Sequence, residues 1–157
     1  CGKTPDEMEK IVEKLSSPLQ TFALLADFDF FWNRGFFRGV KVTRFLRSIF
    51  GDKTFQDASI PVKVVAVNLN TREEKIFEEG PFFKAVRSSI SIPGILQPVF
   101  EEGQVIVDGA VVSPVPIDCL RRAGVNKIIA VNALPSPQAV WERRKRLTEA
   151  EQKKWAN

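Results

Sequence analysis

Residues 105–131 read VIVDGAVVSPVPIDCLRRAGVNKIIAV. The apolar run Val105-Ile106-Val107 predicts a buried strand that ends in Asp108. Gly109 and Ala110 follow it, with little or no side chain. Pro116 to Ala123 reads as a helix with Gly124 as its C-cap, and Lys127 to Val131 as another buried strand. An acid at the end of an apolar strand is placed at the edge of a low-dielectric core, where burial raises a carboxyl toward a useful base. Asp-Gly is also a common turn dipeptide, and from spacing alone a plain turn is the favoured reading. Gly109 permits backbone conformations closed to other residues and lets a substrate or partner side chain approach.

Upstream, Thr4-Pro5-Asp6-Glu7 is a helix start with a capping box, and Met8, Ile11, Val12 and Leu15 follow at helical spacing. A second helix begins near Pro18. Residues 27–39, DFDFFWNRGFFRG, carry six aromatics without a clean period. Packed core is the default for them, with a subunit contact or a flap over a lipid site as alternatives. Gly39 leads into a helix carrying Val42, Phe45, Leu46, Ile49 and Phe50, stopped by Gly51. Residues 62–68, VKVVAVN, are nearly continuous in apolar character, as in a strand covered on both faces. Glu74 to Phe77 reads as a short partner strand. A helix follows Gly80-Pro81 and breaks at Pro93-Gly94. Pro135 and Pro137 mark a boundary, and residues 138–156 read as a highly charged helix. Strands alternating with helices indicate an α/β sandwich.

The 157 residues contain no histidine, which excludes Ser-His-Asp and Cys-His catalysis within this chain and any His-based metal site. The two cysteines, Cys1 and Cys119, make no framework, and Cys119 reads as a small core residue. No run approaches the ~18 apolar residues of a spanning helix. The net charge of +4 owes much to Arg143, Arg144, Lys145, Arg146, Lys153 and Lys154. A solvated helix face is the plain reading of that cluster. Attraction to anionic phospholipid is the functional one, and a nucleic-acid-binding motif is lacking.

Four segments in order carry a family resemblance. CGKTPDEMEK opens the chain, GDKTFQDASIPVKVVAVNLNT spans 51–71, AVRSSISIPGILQPV spans 85–99, and VIVDGAVVSPVPIDCLRRAGVNKIIAV closes the set. Together they resemble the patatin-like phospholipases, whose A-x-R-A-S-x-x-x-P pattern is met here with Ser88 in place of the usual alanine. The resemblance implies an α/β fold, a patatin-like three-layer sandwich with a mostly parallel central sheet flanked by helices. Of it, residues 1–135 would be the C-terminal portion and 136–157 a charged helical extension. It implies a Ser-Asp dyad in which Asp108 of the DGA motif, supported by Gly109 and Ala110, serves a serine in G-x-S-x-G. This chain has no G-x-S-x-G, and so no nucleophile of that kind. Ser88, Ser89 and Ser91 read as structural, since they do not sit on a strand-to-helix elbow, and Ser113 has no base of its own. The implied activity is hydrolysis of lipid or phospholipid carboxylic esters, with no metal or organic cofactor. The implied partners are a lipid substrate, peripheral contact with a membrane, and the missing N-terminal segment or a companion chain, with no nucleic acid. A cytoplasmic or membrane-peripheral location goes with it. The alternative is a catalytically inactive, truncated domain that binds a membrane or a protein, with 27–39 and the basic tail as its working parts. The initial Cys1 also admits a lipid-anchored protein, a reading ranked below that of a fragment.

Overall fold

The computed structural model describes residues 2–27 and 37–133, together with positions 138, 141, 142 and 145. The aromatic cluster at 28–36, Cys1 and most of the charged stretch 138–156 lie outside the described residues. Two compact units divide at Ser113 and Pro114.

In the first unit, α1 (Pro5–Ser16) begins as its sequence predicts. The Thr4 side chain accepts from the Glu7 N–H, and the Glu7 carboxylate accepts from the Thr4 N–H at 2.7 Å. The same reciprocal box recurs at Thr54 and Asp57, where a single 3-10 turn, Phe55–Asp57, begins. Backbone hydrogen bonds from Thr4 and Thr54, before all else, hold the Glu7 and Asp57 carboxyls below the ordinary carboxylate range. A carboxyl with a depressed folded pKa contributes stability that is present above its unfolded pKa and is lost as pH falls through the folded value. Both caps therefore loosen below about pH 4. Amide exchange of the first turn of α1 reads this directly: protection relative to mid-helix amides falls between pH 6 and pH 3 in the wild type, and not in Glu7→Gln.

Helix α2 (Pro18–Leu25) and helix α3 (Val40–Phe50) follow. Asp27 caps α3 from a distance in sequence. Its Oδ1 accepts from the Gly39 N–H and its Oδ2 from the Lys41 N–H, each at 3.0 Å. Gly39 has φ +80°, and a Cβ there would overlap the Arg87 guanidinium, so both backbone and space call for glycine. Val42 and Leu46 of α3 are buried with Leu96, and Phe37, Phe83 and Val86 pack around them. A second core cluster joins Phe55, Phe82 and Ala85, with the rings of Phe55 and Phe82 4.4 Å apart.

The sheet has four strands: β1 (Val64–Asn68), β2 (Glu73–Phe77), β3 (Val99–Glu101) and β4 (Gln104–Asp108). Their order is β2-β1-β4-β3. Helix α4 (Phe82–Ser89) packs against β1 and β4. The expected patatin-like three-layer sandwich with a mostly parallel central sheet is overturned: the structure has a four-stranded sheet, antiparallel in all three strand pairs, with helices packed against it. Short connections are the reason for two of these pairs, β1–β2 and β3–β4. Residues 69–72 return β1 into β2, and Glu102-Gly103 return β3 into β4, with φ +49° and +76°. Such links close antiparallel pairs, whereas a parallel pair needs a long crossover. The unbroken apolar run of β1 reflects its central place in the sheet under α4, not a parallel neighbour. One parallel bridge, Phe37 with Leu96, lies outside the four strands.

The second unit contains α5 (Ile117–Arg122), closed by Gly124 at φ +78°. Cys119 is buried and free, and its thiol donates to the Pro116 carbonyl at 2.9 Å. The expected strand at Lys127–Val131 is absent. Residues 127–131 have no regular secondary structure, and no described strand lies there.

Candidate functional site

Ile106 and Val107 are fully buried, as is Ala66, which stands opposite Asp108 in the register. They anchor the end of β4, and Asp108 emerges half-buried as its last residue. β3 reaches only as far as Ile106. Beyond that point the Ser91 carbonyl accepts the Asp108 N–H, at 3.0 Å.

The chain then turns through a single 3-10 turn, Gly109–Val111. The Asp108 Oδ1 accepts from the Ala110 N–H at 2.8 Å, which fixes the carboxylate against its own turn. Its Oδ2 takes no hydrogen bond from any described residue. One carboxylate oxygen thus builds the turn, as the plain-turn reading of Asp-Gly has it. The Ser113 N–H closes the turn onto the Gly109 carbonyl at 2.9 Å.

Gly109 is required for a reason different from the one expected. It does not take a positive φ. It is buried against β1, where a Cβ would lie 3.0 Å from the Val65 carbonyl carbon and nearer still to its oxygen. The absent side chain admits the β1 backbone. Ala110 is exposed and contributes its N–H.

The serines near this site are committed elsewhere. Ser88 Oγ donates to the Lys84 carbonyl at 3.1 Å, Ser89 Oγ to the Val65 carbonyl at 2.7 Å, and Ser91 Oγ to the Arg87 carbonyl at 2.9 Å. Each hydroxyl proton is engaged by a main-chain oxygen, and all three side chains serve the α4 region as structural groups. Sequence reasoning missed Arg87, which is buried and donates to Ser91 Oγ at 2.5 Å. Its four-residue spacing to Ser91 was the available signal. Among the described residues no three His, Cys, Asp or Glu side chains gather as metal ligands, and no helix is long and apolar enough to cross a membrane.

The chain is similar to known proteins over much of its length. An uncharacterized NTE family protein of Mycobacterium tuberculosis is 32% identical over 97 residues, which are 62% of this chain and 26% of that protein. Neuropathy target esterase sws of Drosophila melanogaster is 28% identical over 98 residues, 61% of this chain and 7% of that protein. Human patatin-like phospholipase domain-containing protein 6 is 26% identical over 98 residues, again 61% and 7%. The chain thus spans about a quarter or less of the length of these relatives. The sequence pattern of patatin-like phospholipases matches residues 1–120, well over half of the chain and including the whole Asp108 turn, and the chain belongs to that family.

Proposed function

We propose that these residues form part of a serine acyl hydrolase that cleaves carboxylic esters of lipids or phospholipids, with Asp108 as the aspartate of a Ser-Asp dyad. The observation that carries this reading is the divided use of the Asp108 carboxylate. Oδ1 is held by the Ala110 N–H, and Oδ2 is left to receive a proton.

In this mechanism Oδ2 accepts the proton of a serine hydroxyl supplied from outside these 157 residues. The serine oxygen attacks the ester carbonyl carbon, and the tetrahedral intermediate expels the alcohol, which takes the proton back from Asp108. Water then attacks the acyl carbonyl carbon as Asp108 removes its proton, and the serine oxygen takes that proton back from Asp108 as the acyl-serine bond breaks and the fatty acid is released. The aspartate serves both half-reactions from one fixed position. The Ser91 carbonyl and the Ala110 N–H hold it on its two sides.

The family gives the chemical class, and the relatives' names include an esterase and a phospholipase domain. The test is hydrolysis of p-nitrophenyl butyrate and of phosphatidylcholine vesicles by the intact protein. Both substrates are expected to turn over, and a fluorophosphonate is expected to block both in parallel. Vesicle binding without hydrolysis of either ester contradicts the reading and favours a non-catalytic module.

A further inference from the structure

Arg87 is 6% exposed near the end of α4. Its guanidinium meets no carboxylate at ion-pair distance among the described residues. Burial pushes its pKa below the ordinary arginine value, and the charge of Asp27 opposes that shift. Instead of a carboxylate, Arg87 has three neutral acceptors. Nη2 donates to the Arg38 carbonyl at 3.2 Å and the Gln97 carbonyl at 3.0 Å, and Nη1 donates to Ser91 Oγ at 2.5 Å.

Ser91 is fully buried and bonded on both sides. Its hydroxyl accepts from Arg87 Nη1 and donates to the Arg87 carbonyl, while its own carbonyl accepts the Asp108 N–H. A continuous path therefore runs from the guanidinium through Ser91 to the backbone of the aspartate. A buried cation is a weak source of stability, because desolvation offsets most of what its hydrogen bonds return. What a guanidinium supplies is geometry, since its donors sit in a rigid planar fork. Here the fork ties together three segments, through the Arg38 carbonyl before α3, the Gln97 carbonyl before β3, and the Ser91 hydroxyl just past α4.

We infer that Arg87 is a positioning residue for Asp108, acting through Ser91, which sets the backbone from which the carboxylate projects. The inference rests on the reading of Asp108 as the dyad base. A misplacement of about 1 Å costs about 100-fold in rate where the reacting groups must be aligned. Uniform substrate binding is untouched by such a shift.

The experiment measures kcat and KM of the intact protein on p-nitrophenyl butyrate, each variant well below its own unfolding temperature. Ser91→Ala removes the hydroxyl with little change of volume, and its kcat is expected to fall about 10-fold. Arg87→Met is expected to lower kcat about 100-fold, with KM within about 2-fold of wild type in both variants. A purely structural role lowers the melting temperature without this split. The discriminating measurement repeats Ser91→Ala in an Asp108→Asn background, where the further loss is expected to be under about 2-fold, because the group being positioned is gone. Ser91→Ala with wild-type kcat overturns the inference, as does an equal further loss in the Asp108→Asn background. Ser91→Ala alone decides the matter where Arg87→Met does not fold. An Asp108→Asn protein that keeps wild-type kcat removes the dyad assignment itself. An inactive Asp108→Asn beside a full-rate Ser91→Ala removes the positioning role alone.

Discussion

Asp108→Asn in the intact protein is expected to lower ester turnover by about 1,000-fold, within the 10²–10⁴ range of a lost general base, and to leave the fold in place. Asparagine keeps the shape of the side chain and a carbonyl oxygen to accept the Ala110 N–H, now at 2.8 Å from Oδ1. The Asp108 N–H still reaches the Ser91 carbonyl. The amide NH2 then stands where Oδ2 stood, and an amide nitrogen cannot take a proton from serine. The melting temperature is therefore expected to stay within a few degrees of wild type while kcat collapses. Thermal unfolding and initial rates on p-nitrophenyl butyrate check the two halves together. A folded variant that keeps its rate removes Asp108 from the chemistry.

Gly109→Ala is expected to act on the fold first. Its Cβ would be driven into the Val65 carbonyl, whose oxygen already accepts from Ser89 Oγ at 2.7 Å. The obstructing atoms are main-chain atoms of β1, which is held between β2 and β4. No side chain is there to swing aside, so either β1 or the Gly109–Val111 turn must move. Overpacking of this kind costs about 1–3 kcal/mol. A lower urea midpoint is expected, with an unchanged denaturant slope and a fall in turnover below the unfolding transition, since the displaced turn carries Asp108. A midpoint equal to the wild type's contradicts the close approach. Ala110→Gly is the control, because residue 110 is exposed and keeps its N–H.

These two neighbours show how much of the site was legible in the sequence. The acid after Val105-Ile106-Val107 was visible, and the structure places it at the end of β4. The glycine was visible too, but its reason was not. Sequence suggests freedom of φ, whereas the structure shows a glycine pressed against a distant strand. That contact is tertiary, and nothing local in the chain encodes it. The same limit hid the support for the aspartate. Ser91 reads as one more hydroxyl near a helix end, and neither its bond from the Arg87 guanidinium nor its carbonyl's bond to the Asp108 N–H is visible in the chain.

The helices were the most readable elements, because caps and period are local. Thr4 with Glu7 and the stop at Gly51 appear where the residues demand them. Strand pairing was less readable. Val64 to Asn68 forms a strand as expected, but a buried central strand and a parallel strand share one apolar signature. The β3–β4 hairpin was overlooked because its turn places a glutamate, Glu102, at positive φ ahead of Gly103. Asn-Gly or Asp-Gly would have announced it. Lys127–Val131 has the composition of a buried strand and forms no regular element, since strand propensity alone does not make a strand.

The most direct test of the Ser-Asp assignment is the site and rate of fluorophosphonate labelling of the intact protein, located by peptide mass mapping, in wild type and Asp108→Asn. The predicted result is a single adduct on a serine of a G-x-S-x-G outside these 157 residues, formed at least about 100-fold more slowly in the variant. An adduct on Ser88, Ser89, Ser91 or Ser113, or equal labelling rates in the two proteins, would contradict it.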